Sequence, residues 1–199
     1  MKILVTGFEP FGGDDENASG TAVLALRDVV TGILPVEFGT AAGHLHSLIE
    51  EHRPSVAVCV GEAGLRTQVS VERRARNLVD ARIPDNAGRQ PRGEVIDPTR
   101  GEWLETTFDV GRIAAVVDGV AVSEDAGLFV CNEVYFRALN ELQVPVLFVH
   151  VPAIRTDGAA RVGAETDEVR GVGDLPTQAQ VDRALAEIVA VVNSDVSPT

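Results

Sequence analysis

Two uninterrupted apolar runs constrain this chain more than any other feature. Val56-Ala57-Val58-Cys59-Val60 ends at Gly61, and Val146-Leu147-Phe148-Val149-His150-Val151 is stopped by Pro152. Each is far shorter than a membrane helix and lacks the alternation of a strand with one wet face. Both therefore predict strands covered on two sides, as in the parallel centre of an α/β sheet. The start of the chain adds a third strand over residues 3–6, ending at Gly7.

Amphipathic segments lie between these runs, which is the pattern of α/β architecture. Helices are predicted over the second half of 17–30 (around Val23, Leu24 and Ala25), over 41–52 before Pro54, over 111–117, and from near Gly127 to about Leu142. A last helix, over 177–193, opens with Thr177 and carries Gln180 three residues on, a capping box. Residues 33–38 read as a short strand that Pro35 demotes towards an edge, and 120–123 as another. Residues 67–79 alternate weakly and look like a hairpin or excursion outside the main sheet. Turn chemistry fills 83–88, loop fills 89–101, and 154–176 reads as a mobile loop. At 199 residues, without linker or repeat, the expectation is a single α/β/α sandwich domain around a twisted, mostly parallel sheet.

Charge narrows the partners. Asp plus Glu number 30 against 17 Lys plus Arg, a formal net charge of -13, and that field repels a phosphate backbone. Nucleic acid and membrane are thus not expected partners. The opening residues, meeting Glu9 at once, do not make a signal segment, so a cytoplasmic location is expected. Two cysteines make no disulfide framework. Cys-x-x-Cys is absent, and His44 and His46 would point apart on a helix, with His52 beyond; no metal and no cofactor are expected.

The loop after the first strand reads Gly7-Phe8-Glu9-Pro10-Phe11-Gly12-Gly13. Glu9 stands where a dinucleotide fingerprint needs glycine, Pro10 removes an amide, and no Gly-Lys-Ser/Thr follows, so this is not a phosphate cradle. Phe8 and Phe11 fit either a local packing cluster or an apolar wall for a small flat ligand. The cysteines differ. Cys59 sits in a core run, where a thiol is a small hydrophobe. Cys131 lies at a predicted helix start, where amides and dipole stabilise a thiolate, although a second buried thiol fits that position too. His150, near the carboxyl end of a central strand, shifts the balance: ligand sites of open α/β sheets lie there. A thiolate with an imidazole base and acid is an acyl-transfer pair that needs an orienting group. Glu72 and Asp85 are both available, and spacing does not choose between them.

Together these segments resemble the pyroglutamyl-peptidase I family of C15 cysteine peptidases. The resemblance rests on residues 4–13, on Glu72-Arg73 leading to Asn77, on Asp80-Ala81-Arg82-Ile83-Pro84-Asp85-Asn86, on Ala126-Gly127-Leu128-Phe129-Val130-Cys131-Asn132 and on His150-Val151-Pro152, in family order. It implies an α/β/α sandwich and a Cys131-His150-Glu72 triad, with Arg82 and Asp85 supporting the active site and Arg82 joining the Cys131 amide at the oxyanion. It also implies that Phe8 and Phe11 sandwich a pyrrolidone ring, with Asn17, Glu62 and Phe129 at the substrate. Peptides with N-terminal pyroglutamate are the implied partners, and a homo-oligomer, dimer or tetramer, the implied assembly. The chain departs from the pattern at Ala18, where the family usually has proline, at Leu65, where it has glycine, and at Glu62, where many members have glutamine. Arg155 follows Ile154 where a second proline is common, and the Cys131-to-His150 interval is short. A non-catalytic pyroglutamyl-binding module and a thiol amidase or esterase of altered specificity are the competing readings.

Overall fold

Side-chain parity along the strands sorts the core into two layers. The computed structural model describes residues 2–155, 160–162 and 174–196. Its elements are β1 (Ile3–Phe8), α1 (Ala18–Ala25), β2 (Val30–Leu34), α2 (Thr40–His52), β3 (Val56–Ala63), β4 (Val69–Glu72) and β5 (Arg74–Arg76). They continue with β6 (Trp103–Glu105), α3 (Val110–Val116), β7 (Val120–Ser123), α4 (Val130–Glu141), β8 (Val146–Pro152) and α5 (Gln178–Val196). The six-stranded sheet has the order β2-β1-β3-β8-β4-β7, and β5 pairs with β6 in a separate ribbon. Within the main sheet β4 meets β8 antiparallel and every other pairing, β4 with β7 included, is parallel; β5 and β6 are antiparallel.

Val5, Val58, Val60, Leu147, Val149 and Val71 point to one face, where they meet Val23 of α1, Ile113 of α3 and Leu185 and Ile188 of α5. Leu4, Ala57, Cys59, Val146 and Phe148 point to the other, against Leu45 of α2 and Val134, Tyr135 and Phe136 of α4. The result is the expected α/β/α arrangement. Each fully buried aliphatic or aromatic side chain contributes about 1.5–3 kcal/mol, so the central strands anchor both layers. α1 comes unusually close to β1: a Cβ at Gly20 would lie 2.6 Å from the Phe8 carbonyl. Small residues there set the distance between helix and sheet.

Several expectations need correction. The first helix occupies the first half of 17–30, because the Asn17 side chain caps it by accepting the Ser19 N–H at 3.0 Å. The edge strand ends at Leu34, ahead of Pro35, and Val36 and Phe38 are buried from a loop instead. The helix that carries Cys131 begins at Val130; Gly127, with φ of 81°, belongs to the turn before it. Most consequentially, only part of 67–79 is an excursion: Arg74–Arg76 leaves for the antiparallel ribbon with β6, but Val69–Glu72 lies inside the main sheet between β8 and β7. The capping box is present: Thr177 N–H donates to Gln180 Oε1 at 2.8 Å and Gln180 N–H to Thr177 Oγ1 at 3.3 Å. Most of the segment expected to be a mobile loop falls outside the described residues. Among the described residues no helix is long and apolar enough to cross a membrane.

Candidate active site

The parity that builds the second layer also builds the site. Glu72 alternates with Val71 on β4, and His150 alternates with Val149 on β8, so both point away from the valine layer towards α4. The His150 ring lies against Phe148, with centroids 4.9 Å apart. Its Nδ1 is 2.7 Å from Glu72 Oε1, and both side chains are buried, Glu72 completely. The choice left open by spacing is thereby made: the carboxylate on His150 is Glu72. Asp85 is engaged elsewhere, its Oδ2 accepting the Phe38 N–H and its Oδ1 the N–H groups of Ala87 and Arg89. That carboxylate holds the turn to the loop after β2.

A third group joins Glu72. Arg66, also buried, donates from Nη1 to the same Glu72 Oε1 at 2.5 Å and from Nη2 to the Asp125 carbonyl at 2.9 Å. A carboxylate so deeply buried needs a compensating charge, and the guanidinium supplies it. Arg66 lies six residues before Glu72, in the turn between β3 and β4; it closes the segment that departs from the family pattern at Leu65, a signal that could have pointed to it. Glu72 is held from behind as well, its backbone carbonyl accepting the Tyr135 hydroxyl at 2.9 Å.

Cys131 is the second residue of α4 and is partly buried. Phe129 at the N-cap makes no side-chain capping hydrogen bond, and the first turn of a helix carries amides for which the helix itself has no acceptors. Such a position favours a thiolate and offers an N–H to an oxyanion. Asn132 fixes this end of the helix by accepting the Arg76 N–H and donating to the Arg76 and Leu78 carbonyls. The sulfur itself rests on β3: a Cβ at Gly61 would stand 2.7 Å from Cys131 Sγ. Gly61 is the register partner of His150 on the neighbouring strand. Only a residue without a side chain leaves the sulfur its place beside His150. Cys59 lies two residues earlier on β3, wholly buried, and burial pushes its thiol up to about 11 against a small opposing effect of Thr6.

These groups open on a cleft whose lining includes Cys131, His150, Phe8, Phe11, Phe129 and Val162. Phe11 and Phe129 are in tilted contact, centroids 5.2 Å apart, and Phe38 meets Phe129 edge-on. Asn17 and Glu62 also line the cleft. Arg82 does not: it is exposed and takes no part in the lining. Two residues that sequence reasoning did not place here, Asp14 and Arg155, form ion pairs at its edge, Arg155 bridging Asp14 and Glu62. His44 and His46 lie on the exposed face of α2.

A buried imidazole–carboxylate pair beside a helix-start cysteine, opening on an aromatic cleft, is the equipment of a thiol acyl-transfer enzyme. The family model described as pyroglutamyl peptidase matches residues 1–194. A pyrrolidone-carboxylate peptidase of Escherichia fergusonii is 38% identical over 177 residues, covering 81% of this chain and 83% of that protein. One from Levilactobacillus brevis is 37% identical over 191 residues, covering 86% and 94%. Among solved structures, pyroglutamyl peptidase I of Bacillus amyloliquefaciens superposes with a TM-score of 0.86 at 30% identity, covering 100% of this chain and 99% of the other. A pyrrolidone carboxyl peptidase variant from Pyrococcus furiosus gives 0.82 at 28% identity, covering 99% and 100%. The chain belongs to the pyroglutamyl peptidase family.

Proposed function

We propose that this protein removes pyroglutamate from the amino termini of peptides, with Cys131 as nucleophile, His150 as base and acid, and Glu72 as its orienting group. The observation that carries the reading is the meeting of Cys131 and the Glu72-bound His150 in one aromatic cleft. With Nδ1 engaged by Glu72, His150 exchanges protons through Nε2. The Cys131 sulfur attacks the exocyclic carbonyl carbon of the pyroglutamyl residue, and the developing oxyanion takes the Cys131 N–H. His150 then protonates the departing amine, leaving a thioester. Water, deprotonated by His150, opens the thioester and releases pyroglutamate.

Phe8, Phe11 and Phe129 supply apolar surface for a flat ring. Ordinary aminopeptidases anchor a cationic amine, which a lactam lacks, so a pocket for this substrate needs apolar faces and few polar contacts. The test is hydrolysis of a fluorogenic pyroglutamyl amide beside its prolyl and alanyl analogues. Turnover confined to the pyroglutamyl compound is expected; binding of it without turnover would favour a non-catalytic module instead. The same proposal takes the chain to be one peptidase domain that works as a homo-oligomer in the cytoplasm. A single-chain mass by light scattering would remove the assembly from it.

A further inference from the structure

A carboxylate in the wall of a pocket for a neutral ring calls for an explanation. Glu62 lines the cleft near the carboxyl end of β3, its side chain 11% exposed. Glu62 Oε2 accepts the Ala18 N–H at 2.7 Å. Both carboxylate oxygens are also held by Arg155, Nη1 on Oε2 and Nη2 on Oε1, each at 2.7 Å. Arg155 lies just past β8 with its side chain 6% exposed, and reaches Asp14 Oδ2 with Nε at 3.2 Å and Nη2 at 2.7 Å. Arg161 adds its backbone N–H to Asp14 Oδ2 at 3.1 Å and brings Nε within 3.6 Å of Oδ1. Two carboxylates and two guanidiniums thus make a cluster without net charge.

The charges of Arg155 and Asp14 are firmly held. Hydrogen bonding to Glu62 pushes the Arg155 guanidinium further up from its already high value, against the effect of burial. Burial acts to raise the Asp14 carboxyl, but its contacts with Arg155 and Arg161 outweigh that and hold it below the usual range. A bidentate guanidinium–carboxylate pair is a geometry that lysine does not reproduce.

None of the steps at Cys131 uses these residues; their effect falls on what the pocket admits. A prolyl ring nearly matches a pyroglutamyl ring in shape, but its nitrogen is a secondary ammonium instead of a lactam. An ionised Glu62 without its counter-charge would draw that ammonium in. We propose that Arg155 is a specificity-determining residue: by neutralising Glu62 it keeps the pocket wall from attracting cationic rings, so that the lactam is selected over the prolyl amine. The inference rests on the pyroglutamyl reading above. Arg155 does not touch the reacting atoms and acts through Glu62.

The test compares kcat and KM for pyroglutamyl and prolyl amides in the wild type, Arg155→Gln, Arg155→Lys and the Glu62→Gln/Arg155→Gln double variant, with thermal midpoints recorded. Arg155→Gln should raise the prolyl-to-pyroglutamyl ratio of kcat/KM by on the order of tenfold, mainly through a lower KM for the prolyl compound. Arg155→Lys should stay closer to the wild type, and the double variant should return to it, since the Asp14 and Arg161 charges that remain cancel and the carboxylate in the pocket wall is gone. A purely structural Arg155 would depress both substrates together and leave the ratio unchanged, which would overturn the proposal, as would a raised ratio in the double variant. Protection of Cys131 from iodoacetamide by 2-pyrrolidone or by pyrrolidine, cationic at neutral pH, reads the same preference without turnover. It therefore separates failure of this inference from failure of the peptidase reading. If Arg155→Gln does not fold, Glu62→Gln carries the test. It leaves a positive excess, so protection by pyrrolidine should fall severalfold while that by 2-pyrrolidone holds, and equal protection by pyrrolidine in both proteins would overturn the proposal.

Discussion

Replacing Gly61 with alanine isolates the placement of the sulfur from everything else at the site. The backbone there is not in the left-handed region, so alanine brings no conformational strain, only a methyl group. That methyl would stand 2.7 Å from Cys131 Sγ and 3.1 Å from two ring carbons of Phe148. Contact with the sulfur is then about 1 Å too short, since unstrained heavy-atom contacts lie near 3.5–4.0 Å. The Phe148 ring is fully buried among core residues and yields little, whereas the sulfur ends a side chain with one torsion. Relief therefore comes from rotating or shifting Cys131 away from β3. A misplacement of about 1 Å at a reacting atom costs on the order of a hundredfold in rate. Overpacking by one methyl costs about 1–3 kcal/mol of stability. The expected result is a folded Gly61→Ala protein with kcat for a pyroglutamyl amide reduced about a hundredfold, KM little changed and a modestly lower Tm. Wild-type kcat in a protein of unchanged Tm would refute the reasoning, because the sulfur would then not need the space that Gly61 leaves.

Four further outcomes follow from the geometry. Limited iodoacetamide should label Cys131 as activity falls and leave Cys59 unmodified, because burial holds the Cys59 thiol at about 11; peptide mapping that finds Cys59 labelled during inactivation would reverse the assignment. Glu72→Ala should lower stability by about 3–5 kcal/mol through the Arg66 charge it strands, and abolish most activity. Glu72→Gln, which keeps an acceptor for His150, should lose less of both, and denaturant unfolding beside kcat separates the variants. Asp85→Asn weakens an acceptor of three backbone N–H groups, so it should lower the unfolding midpoint by an amount worth about 1–3 kcal/mol and spare kcat; a collapsed kcat in well-folded Asp85→Asn would contradict that. Phe11→Ala should raise KM for the pyroglutamyl amide by an amount worth about 1 kcal/mol at nearly constant kcat. Phe11 is the better probe of the aromatic wall than Phe8, whose side chain is 2% exposed and carries core packing as well.

Much of the frame was legible in the sequence because burial on both faces is a local requirement. A strand between two helical layers needs an apolar residue at nearly every position, so 56–60 and 146–151 declare themselves. The Thr177–Gln180 cap was legible for a similar reason, since its partners are three residues apart. Cys131 at a helix start and His150 at a strand end could likewise be named from their own neighbourhoods, and the resemblance then supplied Glu72. β4 was hidden by its function. Ser70 and Glu72 alternate with Val69 and Val71 as residues of a surface strand do, but their polar face meets the site instead of water.

What the tertiary structure decided is which distant groups share charge. Glu72 lies 78 residues from His150 and meets it only because β4 is inserted beside β8. Arg155 and Glu62 are 93 residues apart and Asp14 lies 141 residues from Arg155, so nothing in their own segments foretells the cluster they form. Arg82 sits in a family-like segment and yet stays exposed, away from the cleft lining. Side-chain polarity is written residue by residue, whereas the partner that satisfies a buried charge is set by the register and order of strands. The sequence by itself therefore determined the layers and singled out Cys131 and His150; the packing of the sheet decided that Glu72 meets His150 and that Arg155 meets Glu62.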